Sequence, residues 1–115
     1  MSKLQYPKKI NILGRDIKVV LHTTDENNVE CGEASFIKEE IHLQSMVHGE
    51  QVSQDSLDDT IMHEIIEHWL HTSGWDERPP FNKERTKEHF IKSLTSALQP
   101  ALKPFINWSR RKTKA

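Results

Sequence analysis

The sequence predicts an α+β domain, a small N-terminal antiparallel or mixed sheet packed on two helices. Three observations carry this. Apolar residues alternate with polar ones through the first half of the chain. From Leu57 to Leu70 they recur instead with a helical period. Behind Pro79-Pro80 a second helical stretch follows, so strands precede helices rather than alternating with them.

Lys9 to Leu13 alternates around Ile10 and Ile12, Gly14-Arg15-Asp16 supplies a turn, and Ile17, Val19 and Leu21 share one face of the next strand, which together predict a hairpin. Thr24 to Glu30 is polar and reads as a loop. Glu33 to Ile37 and Ile41 to Leu43 form a second strand pair around a polar tip at Lys38-Glu39-Glu40, with Gly32 at its entry. Ser45 to Asp55 reads as a polar connection. Ser56 with Asp59 three residues later imitates a capping box, so the first helix is expected to start there. Leu57, Ile61, Met62, Ile65, Ile66, Trp69 and Leu70 carry it forward until Gly74 ends it. Asn82 is placed to cap a second helix running to about Gln99, with Phe90, Ile91, Leu94 and Leu98 facing the core and Pro100 and Pro104 breaking its continuation.

The chain has 115 residues, 29% charged and 35% apolar, with a formal net charge of -1. That suits one domain over residues 1–108, followed by a basic tail at 109–115 read as solvated and disordered. Near-neutral charge gives no case for nucleic acid, and no apolar run is long enough for a membrane span. The N-terminus lacks the apolar stretch of a signal peptide, and the single cysteine, Cys31, excludes an intrachain disulfide. A cytoplasmic protein with neither membrane nor nucleic-acid partner is expected, its oligomeric state open.

Chemistry concentrates in His63-Glu64-Ile65-Ile66-Glu67-His68. At about 100° per residue, His63, Glu67, Glu64 and His68 fall at roughly 0°, 40°, 100° and 140° around the helix axis. Met62, Ile65, Ile66 and Trp69 are expected on the opposite, buried face. Residues four apart on a helix point the same way, so two overlapping ligand pairs exist: His63 with Glu67, and Glu64 with His68. In the first, Glu64 lies one step round the helix, where the glutamate of H-E-x-x-H works as a base. In the second, Glu67 is the base. The first pairing is preferred because it keeps the His-Glu start and needs only a carboxylate for an imidazole at position 67, an acceptable zinc ligand.

From Leu57 to Leu98 the chain resembles the small zincin-like proteins of bacteriophages and prophages. In these a helix reading H-E-I-I-E, here His63 to Glu67, precedes a helix with an E-H pair, here Glu88-His89 with Phe90, Leu94 and Leu98 behind it. More broadly it is similar to the minimal gluzincin-like metallopeptidases of the ImmA/IrrE type. The resemblance implies His63 and Glu67 as metal ligands, Glu64 as general base, His89 as third ligand and Zn2+ as cofactor, with other divalent ions acceptable to such a donor set. It implies hydrolysis of a peptide lying along an edge strand near Ile41 to Leu43. A zinc-binding phage protein acting as adaptor or inhibitor of a host protein is the alternative, and a metal-free interaction module the third reading.

The remaining histidines have plainer roles. His68, unless it is the alternative ligand, and His71 are expected to shield the site or hold a carboxylate. His22, His42 and His48 read as strand or surface residues, with His42 nearest the expected cleft. Trp69, Trp75 and Trp108 read as core or rim packing, and Cys31 is assigned no chemistry.

Overall fold

The computed structural model describes residues 3–23 and 32–113, and is α+β as expected. The expectations for the loop at 24–30, for Cys31 and for the side chain of Trp108 lie outside the described residues.

β1 (Lys9–Ile12) and β2 (Arg15–His22) pair antiparallel, with Ile12 opposite Arg15. Their turn is Leu13-Gly14, at φ 52° and 84°. Left-handed backbone at both positions is the type I′ turn, whose twist matches the flanking strands. β3 (Gly32–Ser35) pairs antiparallel with β4 (Glu40–Gln44), and β4 also runs parallel to β2. The sheet is therefore mixed, in the order β1-β2-β4-β3. This corrects one expectation: Ile41 to Leu43 lie on an inner strand, bonded on both sides, and the edges are β1 and β3.

The connection from Ser45 to Asp55 contains a hairpin that the sequence reading missed. β5 (Met46–Val47) and β6 (Glu50–Gln51) pair across His48-Gly49, again left-handed at φ 53° and 78°. Neither turn carries the Asn-Gly or Asp-Gly pair that announces this geometry in a sequence.

α1 (Gln54–Ser73) begins earlier than expected. Ser53, not Ser56, is its N-cap, accepting the Ser56 N–H at 3.0 Å. Gln54 adds a second anchor. Its amide donates to the Gln5 carbonyl at 2.7 Å and to Asp58 Oδ1 at 2.9 Å, and its Oε1 accepts from the Gln5 N–H at 2.8 Å. At the other end Gly74 stops the helix as expected, at φ 81°, returning its N–H to the His71 carbonyl. A short 3-10 turn, Trp75–Glu77, leads away from it.

α2 spans Glu84–Thr113. The Lys83 carbonyl accepts from the Lys87 N–H at 3.0 Å, so Asn82 stands outside the helix instead of capping it. Pro100 and Pro104 lie inside α2 and do not end it, and the helix continues into the segment read as a tail. Both prolines are on exposed positions, as is Ser96, so the residues whose carbonyls lose an amide partner lie on the exposed side of the helix. Among the described residues no helix is long and apolar enough to cross a membrane.

Two clusters form the core, one on each side of α1. Ile12, Ile17, Val19, Ile41 and Leu43 from the sheet close over Leu57 and Ile61. Ile66 and Leu70 close against Ile91 of α2, with Met62, Phe81, Phe90 and Leu94 at the margin. The first helix is thus a middle layer between sheet and α2, covered on two faces where a single buried face was expected. Trp69 and Trp75 are surface residues, 39% and 46% exposed.

Candidate metal centre

The sandwiching of α1 divides its six-residue motif. Glu64 and His68, four apart, turn inward. Glu64 is 5% exposed and His68 2%. His68 Nε2–H donates to the backbone carbonyl of Glu40 on β4 at 3.2 Å, which fixes that row on the sheet side. His63 and Glu67 turn instead to the seam with α2, where their side chains are 24% and 22% exposed.

Across that seam the third member comes from α2. His63 Nε2 is 3.7 Å from Glu88 Oε2 and 3.9 Å from Glu67 Oε2. One ligand atom from each of His63, Glu67 and Glu88 lies within 4.8 Å of the other two. His89, the neighbouring residue, is exposed and outside this group. His68 is also outside it, its Nε2 committed to β4. Consecutive helical residues point about 100° apart, so Glu88 and His89 cannot both face α1. The direction is set by the row Glu84, Glu88, Ile91 and Thr95, in which Ile91 is 0% exposed and Thr95 3%. That row was the available signal for Glu88.

The donor set fits a divalent ion. A tetrahedral ion with ligands at about 2.0–2.1 Å needs ligand atoms roughly 3.3–3.4 Å apart; the His63 separations of 3.7 and 3.9 Å, and the 4.8 Å bound on all three, leave the side chains to draw in around an ion. One imidazole and two carboxylates make three candidate ligands. The electrostatics agree. Burial pushes the Glu67 carboxyl above its ordinary range, the Glu88 carboxylate adds to this, and Lys87 and His63 pull the other way. Two carboxylates held together in a half-buried seam favour a cation between them.

The other histidines serve the fold. His71 stacks on Phe36, centroids 3.9 Å apart, and Nδ1–H donates to Asp76 Oδ2 at 3.1 Å. His42 Nε2–H donates to the Glu40 carboxylate at 2.9 Å, leaving Nδ1 to accept from His22 Nε2–H at 2.8 Å. Because Ile41 and Leu43 point to α1, strand alternation puts this chain on the opposite face of the sheet, away from the group. His48 sits in the exposed hairpin turn. A cavity of about 170 Å³, lined by Arg15, Phe36, Glu39, His68 and His71 among others, includes none of the three clustered residues.

Comparison with known proteins adds no constraint: no family model, no curated protein and no solved structure matches the chain.

Proposed function

We propose that the protein is a metal-dependent peptidase of the minimal zincin kind, with His63, Glu67 and Glu88 holding a divalent ion, zinc by preference. The convergence of those three ligand atoms from two helices carries this reading. Such an ion supplies Lewis acidity toward a peptide carbonyl and lowers the pKa of water.

The chain's own residues supply the rest. Glu64, next to His63 in the sequence and buried, takes in this reading the role of the glutamate in H-E-x-x-H enzymes, which receives a proton from water and returns it to the leaving amine. β3, the edge strand beside β4, would offer main-chain groups to an extended peptide in place of β4. Glu64→Gln should leave metal affinity unchanged and abolish hydrolysis of a peptide library. Equal cleavage by both forms would refute the assignment of Glu64.

The alternative is a metal-holding adaptor that binds a host protein without cutting it. The carboxylate at position 67 favours it, since exchanging imidazole for carboxylate lowers the charge at the ion and makes water there less acidic. Stoichiometric metal without cleavage of any library peptide selects that reading.

A further inference from the structure

The outer face of the sheet carries a histidine chain that the peptidase chemistry leaves unused. His22 ends β2, and His42 lies in β4, the parallel strand beside it. The register sets Val20 against His42 and His22 against Gln44, so both histidines stand on one face as diagonal neighbours. Their rings stack, centroids 5.0 Å apart and planes 20° apart, and His22 Nε2 is 2.8 Å from His42 Nδ1. Glu40, two residues back along β4 and so on the same face, holds the other nitrogen of His42 at 2.9 Å.

That order fixes the protons. A carboxylate only accepts, so His42 Nε2 carries the hydrogen, and in the neutral pair its Nδ1 is a bare lone pair aimed at His22. One proton therefore stands between two imidazole nitrogens. The same arrangement prepares a histidine to hold a metal: a carboxylate behind the ring fixes its tautomer and makes the nitrogen in front more basic. The His42 and Glu40 side chains, 26% and 23% exposed, are partly enclosed yet reachable from the face opposite α1.

We propose that His22 and His42 form a divalent-metal site of their own, oriented by Glu40, in which a late first-row ion such as Zn2+ or Cu2+ takes the place of the shared proton. Imidazole nitrogen selects such ions over Mg2+ and Ca2+, which prefer oxygen. His22 stays neutral by carrying its proton on Nδ1 instead. Ligand atoms around a tetrahedral ion stand roughly 3.3–3.4 Å apart, so the rings part by about half an ångström on binding, and water fills the remaining positions. The ion clamps β2 to β4, a parallel pair that no hairpin joins. The site shares no residue with His63, Glu67 and Glu88 and stands whether or not that group holds an ion. With two protein ligands it is the weaker of the two and empties on dialysis.

The test follows the histidine ring nitrogens by NMR while Zn2+ is added to wild type, His22→Gln, His42→Gln and Glu40→Gln, with melting temperature measured in parallel. In wild type the His42 Nδ1 and His22 Nε2 signals should shift together as a single ion binds, and the melting temperature should rise. Each histidine variant should lose this response at the histidine that remains, and Glu40→Gln should need about tenfold more Zn2+ to produce it. If His42→Gln misfolds, His22→Gln carries the test. Signals of His22 and His42 that stay still in folded wild type would overturn the proposal, and movement at His63 alone would do so while leaving the reading of the preceding section intact. A wild-type response in either folded histidine variant would also overturn it.

Discussion

At the scale of single residues, what separates Glu88 from His89, and His63 from His68, is orientation rather than chemistry. Each pair offers competent ligands, and the packing of neighbouring residues selects one. His68 illustrates the consequence of the opposite choice. Buried against β4, its imidazole is driven toward the neutral form, so its pKa lies below the ordinary value of 6.5. The folded chain then takes up this proton less readily than the unfolded one. Stability from His68 is complete above about pH 6.5 and is lost as pH falls from there through the lowered value of the folded chain. His68→Gln keeps a donor for the Glu40 carbonyl and removes the titration. Wild type should therefore lose melting temperature faster than the variant between about pH 7.5 and pH 5, and parallel curves would exclude this role.

At the scale of elements, the His63, Glu67 and Glu88 group depends on α1 holding a fixed length and rotation between two layers. Its ends are defined by Ser53 and by Gly74, whose backbone at φ 81° disfavours any residue with a Cβ. Ser53→Ala and Gly74→Ala should each cost about 1 kcal/mol in denaturant unfolding while leaving metal stoichiometry intact. A cost below about 0.3 kcal/mol at Gly74 would contradict the assigned C-cap. These two ends also show what could be read in advance. Gly74 was legible because glycine after a periodic run has one common use, and the period of Leu57 to Leu70 located the helix. The start was misplaced by a turn because Ser53 and Ser56 are both good caps, and only the pairing of Gln54 with Gln5 distinguishes them. The burial of Glu64 and His68 was not legible, since a polar residue on a periodic helix reads as exposed until a second layer is known to cover it. Nor was the hairpin turn at His48-Gly49, whereas the first hairpin was read from Gly14 with its turn placed one residue late. The edge strand was misassigned because the parallel pairing of β2 with β4 is a non-local choice that no local pattern records.

At the scale of the whole molecule, the seam between α1 and α2 connects metal to stability. Glu67 has a raised pKa in the metal-free fold, so the folded chain binds this proton more tightly than the unfolded one. Its contribution is therefore most favourable at low pH, and metal-free stability should fall as pH rises from about 4.5 through the raised value. In the proposed metal-bound state this would reverse, because an ion needs the ionised form and the three ligands converge only in the folded chain. At a free concentration of about 100 times its dissociation constant it adds about 2.7 kcal/mol. The most direct test of the account is the zinc content of purified protein after dialysis, for wild type, Glu88→Ala and His89→Ala. The account predicts about one equivalent per chain in wild type and His89→Ala, and loss of zinc in Glu88→Ala. Less than about a tenth of an equivalent in folded wild type, or retention in Glu88→Ala with loss in His89→Ala, would contradict it.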